Sequence, residues 1–99
     1  MLKVVNRKEY PLKLLINGKH LSRVLIDQHY KLKHPEMTDE LILKLVKILN
    51  NGDFEIEIRK GPYEYFAVEP VYLIRKSYRL VLLLCVGEDF LGVINAFRR

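Results

Sequence analysis

The chain of 99 residues has one cysteine, one glutamine and no tryptophan. The lone Cys85 excludes an internal disulfide and any metal site built from paired cysteines. It lies inside "LVLLLCVG", which predicts a small apolar residue packed in the core. Long hydrophobic runs are also missing. The longest, Leu80–Val86, is far too short to span a bilayer, so no membrane partner is expected. The opening "MLKVVNRKEYP" lacks the apolar centre of a secretory signal, and an intracellular location, cytoplasmic or in an infected host cell, is the expectation. Repeats, low-complexity stretches and linkers are absent, which predicts one domain over 1–99. A chain this short buries roughly 60–70% of the surface its unfolded form exposes, enough for one core.

Charge is plentiful. Hydrophobic residues make up 49% and charged residues 29%, a globular composition, and the charge content leans towards a thermophilic source. The net charge is +5 and the pI about 9.4, a balance that attracts polyanions such as RNA or DNA. The densest basic groups are "NRK" at Asn6–Lys8, "YKLKH" at Tyr30–His34, "IRKSYR" at Ile74–Arg79, and Arg98–Arg99.

Hydrophobic spacing predicts an α+β fold. "LKVV" and "PLKLLI" are short apolar runs, and Pro11–Ile16 reads as a short strand ended by Asn17–Gly18. From His20 to about Lys31, Leu21, Val24, Leu25 and Gln28 follow the i, i+3, i+4, i+7 spacing of a helix face. Pro35 closes that element. Thr38 caps a second helix, with Asp39 and Glu40 in its first turn, an apolar stripe from Leu41 to Leu49, and a stop at Asn51–Gly52. "DFEIEIR", "YEYFAVE", "VYLIR", "YRLVLLLCV" and "FLGVINAF" read as strands, with Pro70 marking an edge or a bulge. The expected architecture is therefore a short N-terminal strand, two helices, and a four- to five-stranded antiparallel meander with the helices packed on one face. Leu80–Val86 is apolar at every position and asks for two dry faces. Two helices cover one face only, so a homodimer through the sheet is the simplest completion. A sheet that curls over itself is the alternative.

The histidines carry the functional question. At ~100° per residue, the first helix would set His29 about 80° from Leu21, flanking the core face. Lys33 would follow one turn beyond, and His34 would sit in the joint before Pro35. Three readings are open. His29 is an ordinary half-buried helix residue and His34 a solvated one. Alternatively, both join nearby cations in an acid–base and phosphate-binding site. Finally, His29 and His34 with Asp27 or Glu36 hold a metal, a set lacking the tight spacing of a usual ligand motif. The second suits RNA cleavage, because imidazole titrates near neutrality and guanidinium binds phosphate in a fork. It needs no metal or cofactor.

"DQHYKLKHPEMTDELILKLV", "YRLVLLLCV" and "GVINAF" resemble a pattern in small nucleases of the barnase, RelE and colicin toxin fold, phage-type members included. The resemblance spans about Ser22 to Phe97. It implies an antiparallel sheet behind one or two helices and metal-independent ribonuclease activity. It makes His29 and His34 the catalytic candidates, Arg75 and Arg79 phosphate holders, and Asn95 a positioning group, with Lys33 and Arg98 added to the phosphate-binding set. Asn95 stands where the pattern has Ser or Thr. It can donate to a phosphate oxygen, but it cannot transfer a proton as a hydroxyl does. Length, charge and residue bias are also similar to small proteins of filamentous archaeal viruses. A histidine meeting Arg75, Arg79 and Asn95 in a cleft would mark the enzyme. A basic face without such a cleft would mark a non-enzymatic binding or structural protein, with nucleic acid or a host protein as partner.

Overall fold

The computed structural model of the chain describes residues 6–99; the apolar run at Leu2–Val5 lies outside them. In chain order the elements are β1 (Arg7–Ile16), β2 (Lys19–Asp27), α1 (Tyr30–Lys33), α2 (Asp39–Ile48), β3 (Ile58–Lys60), β4 (Tyr63–Leu73), β5 (Lys76–Cys85) and β6 (Phe90–Arg98). The six strands form one sheet in the order β1-β2-β6-β5-β4-β3. Neighbours are antiparallel except β2 and β6, which run parallel.

This overturns the expected architecture. The sheet is mixed and six-stranded, and strand outweighs helix by far. The main cause is His20–Lys31. Its first part is strand β2, and only Tyr30–Lys33 is helical, a single turn. Asn17 and Gly18 do more than end a strand. With φ of 53° and 73° they form a two-residue hairpin turn that pairs β1 with β2 from Ile16↔Lys19 to Arg7↔Asp27. Val24, Leu25 and Ile26 are all buried, as befits a strand covered on both faces between β1 and β6. The strand expected at "DFEIEIR" shrinks to Ile58–Lys60. Phe54 and Ile56 still turn inward, but the backbone at Phe54 is held by the side chain of Asn17, whose Oδ1 accepts from Phe54 N at 2.5 Å and whose Nδ2 donates to Phe54 O at 3.0 Å. The helices also do not lie side by side on one face. α2 meets the sheet at β4, and α1 sits beside β6.

α2 forms as its residues dictate. Thr38 Oγ1 accepts from Leu41 N at 3.1 Å, and Asp39 and Glu40 place negative charge on the first turn. Ile42, Leu45 and Val46 enter a core shared with Ile16, Val24, Ile26, Phe66, Leu80, Leu82 and Leu91. Pro70 falls in a break of the β4–β5 register between Val68 and Val71, where a missing N–H costs no ladder bond.

Leu80, Leu82 and Leu84 face this core, while Leu83 and Cys85 point to the other side of the sheet and are nonetheless buried. Leu25 and Gly92 join them there, beside half-buried Phe90, Ile94 and Tyr65. These neighbours cover the second face of Leu83 within one chain. Val86, the end of the apolar run, is 62% exposed. Among the described residues no helix is long and apolar enough to cross a membrane.

Candidate nucleic-acid interface

Strand direction collects one end of the molecule. β1 begins there, β2 and β6 end there, and β4 turns into β5 there. α1 follows β2 at the same end, and α2 begins beside it, because Asp39 bonds Tyr10 and Tyr30. Nine basic residues lie at this end: Arg7, Lys8, Lys31, Lys33, Arg75, Lys76, Arg79, Arg98 and Arg99. Five acidic ones lie there too: Asp27, Glu36, Asp39, Glu40 and Glu69. The other described residues carry seven basic and seven acidic side chains. The positive charge of the protein is therefore concentrated at one end of the sheet.

The acidic groups there are already engaged. Glu69 bridges two guanidiniums, Arg79 Nη1 at 2.8 Å and Arg99 Nη1 at 3.1 Å. Asp27 Oδ1 accepts from His29 N at 2.9 Å and lies 2.8 Å from His29 Nδ1. That contact turns the Nδ1 edge of the ring towards the carboxylate. Glu36 lies 3.9 Å from His34 Nδ1 and accepts from Arg98 N at 3.4 Å. By contrast, Arg7, Lys8, Lys31, Lys33, Arg75, Lys76 and Arg98 have no acidic partner within ion-pair distance among the described residues.

Asp39 belongs to a structural clasp. Its carboxylate accepts from Tyr10 Oη at 2.5 Å, from Tyr30 Oη, and from Gln28 Nε2 at 3.2 Å on each oxygen. Burial pushes its carboxyl up, but these hydrogen bonds and the nearby charge of Lys31 outweigh burial and hold it below the usual carboxylate range. Tyr30 is raised by burial first and then by its bond to Asp39. Tyr10 is raised first by its Asp39 bond and then by burial. Gln28, 6% exposed, spends Nε2 on Ile26 O and Asp39 and leaves Oε1 without a partner.

The residues singled out in the sequence all fall at or near this end, but they do not converge on one centre. His34 stacks on Phe97, with ring centroids 5.0 Å apart, and Phe97 is the strand partner of Arg79. Arg79 in turn shares Glu69 with Arg99, so His34 reaches this group through Phe97. His29 goes elsewhere, into a groove with Asn6, Lys8, Gln28, Lys31 and Leu32. Five residues of helix rise set the two histidines about 7–8 Å apart along the α1 axis. Lys33 is exposed at the end of α1. Arg75 occupies the β4–β5 turn, four residues from Arg79, or about 13 Å along a strand. Asn95 accepts from its neighbour Ala96 N at 3.0 Å. Arg98 ends β6 opposite Tyr78. Among the described residues no three His, Cys, Asp or Glu side chains come together as a ligand set.

Sequence reasoning missed Glu69 and Phe97 and named Arg99 only as part of a basic group, because their pairings join distant segments. It named Asp27 beside His29 only as a metal ligand and missed their direct contact, although an Asp two residues before a His was a legible signal for an Asx-type contact. No family model, curated protein or solved structure matches the chain.

Proposed function

We propose that the protein binds single-stranded RNA through its basic end. The observation that carries this reading is the charge segregation: nine basic residues against five acidic at one end, and balance among the other described residues. A cationic rim attracts a phosphate backbone, and exposed rings beside it offer surfaces on which unpaired bases stack. Tyr72 is 69% exposed and His29 is exposed at this end. The double variant Lys31→Ala/Lys33→Ala should bind a labelled oligoribonucleotide about tenfold more weakly than the parent. Lys44→Ala/Lys47→Ala, on the solvent side of α2, should bind like the parent. Equal losses in both variants would mean diffuse attraction and no interface.

One grouping favours a second reading, RNA cleavage without metal. His34, Arg79, Arg99 and Glu69 combine an imidazole, two guanidiniums and a carboxylate around Phe97. In such a reaction the 2′-hydroxyl gives up a proton as it attacks phosphorus, the leaving 5′-oxygen takes one, and the guanidiniums hold the phosphate charge. On this reading, mixed RNA is cleaved with chelator present, and His34→Ala loses ~100- to 10,000-fold in rate. Cleavage no faster than that of His34→Ala removes the reading and leaves binding in place.

A further inference from the structure

Two hairpin turns of the sheet share a backbone conformation and differ in chemistry. Each holds two successive residues at positive φ: Asn17 at 53° and Gly18 at 73° between β1 and β2, Ile74 at 47° and Arg75 at 65° between β4 and β5. This conformation favours Asn-Gly, since glycine has no Cβ to clash and asparagine tolerates the left-handed region. The first turn obeys that preference. The second defies it, because a β-branched side chain at positive φ crowds its own backbone. Packing does not compensate, since Ile74 is 84% exposed. A local rule broken without a local gain is characteristic of positions kept for contact with something else.

The neighbours of Ile74 suit a nucleic acid. Val71 is buried in the core, so Tyr72 stands on the opposite face of β4 and offers its ring to solvent. Arg75 and Lys76 are exposed. β6 pairs alongside as far as Arg98↔Tyr78, so the turn projects only a few residues beyond the sheet. A tip this short cannot reach base edges down the deep, narrow major groove of an RNA duplex, whereas unpaired bases come to it.

Resting on the RNA-binding reading, we propose that the β4–β5 tip is its base-contacting element. Ile74 wedges between two adjacent unpaired bases, Tyr72 stacks on one of them, and Arg75 and Lys76 hold the flanking phosphates. The test titrates a labelled twelve-nucleotide single-stranded RNA into the full chain and its variants at several salt concentrations. Ile74→Asn should melt no lower than the parent, because asparagine accepts the turn. It should bind about tenfold more weakly with an unchanged salt slope, since no phosphate contact is lost. Tyr72→Ala should behave likewise, whereas Arg75→Ala should flatten the slope by about one contact. If the parent binds RNA and Ile74→Asn binds equally well, the tip is only a turn and this proposal falls alone. If Ile74→Asn melts well below the parent, Ile74 is a packing residue and the proposal falls as well. If the parent binds no RNA, the underlying reading falls with it. Ile74-dependent binding to phosphatidylserine vesicles without RNA binding would assign the tip to a lipid surface and overturn both.

Discussion

Asp39→Ala should lower the stability of the fold by about 3 kcal/mol. The carboxylate is the common acceptor for Tyr10, Tyr30 and Gln28, which arrive from β1, α1 and the end of β2. Tyr30 is 2% exposed and Gln28 is 6% exposed. Removing the acceptor strands their donors in the interior, at ~1–3 kcal/mol for each unsatisfied group. Tyr10 is only half-buried and recovers water, and Gln28 Nε2 keeps Ile26 O, so the sum stays near the top of the range for a single group. For a domain of this size, 3 kcal/mol is a melting temperature lower by roughly 12–24 °C. A thermal melt at neutral pH checks it. A drop of only a few degrees would show that water replaces the carboxylate and that the clasp is dispensable.

The same clasp limits stability at both ends of the pH scale. The folded pKa of Asp39 lies below its unfolded value, so its contribution is complete above that unfolded value, near 4. It is lost as pH falls through the folded pKa. The gap between the parent and Asp39→Ala should therefore narrow in acid below about pH 4. Tyr10 and Tyr30 have the opposite sign. Their folded pKa values lie above the ordinary 10, so their contribution is complete below 10 and is lost as pH rises through the folded values.

Local reading succeeded where local physics decides. Thr38, Asp39 and the stripe to Leu49 specify α2 without outside help, and Asn17–Gly18 and Pro70 mark irregular backbone wherever they occur. Leu21, Val24, Leu25 and Gln28 misled because short apolar runs satisfy both helical and strand periods. Ile26 held the correction. On a helix centred on Leu21 it falls ~140° away, facing water, whereas Val24–Leu25–Ile26 is the continuous apolar run of a central strand. Asn-Gly just before it was the hairpin signal. The parallel pairing of β2 with β6 had no local trace, since residues 23–26 meet residues 90–93 across most of the chain. The site followed the same division. The cations were visible as residue types, and their gathering at one end was not, because it follows from the strand order. Glu69 could be seen to bridge Arg79 and Arg99 only once β4, β5 and the C-terminus were adjacent.

RNA affinity should fall steeply with salt. A strand laid along the basic end meets seven cations with no acidic partner among the described residues, and roughly half or more reach phosphates at once, which sets about 4–6 contacts for a single strand. Each contact releases a counterion, and for single strands the slope of log K against log salt is about −0.7 per contact. Between 50 and 200 mM salt the affinity should therefore drop ~50- to 300-fold. Arg79 and Arg99 should add little to that slope, because Glu69 at 2.8 and 3.1 Å already neutralises part of their charge. Glu69→Gln frees both guanidiniums, so it should tighten binding at low salt and steepen the slope by one to two contacts. Fluorescence anisotropy of a labelled oligoribonucleotide at four or more salt concentrations measures both slopes. A parent slope shallower than about −1 would leave room for a single phosphate contact, and the basic end would then be a surface charge without a backbone to bind.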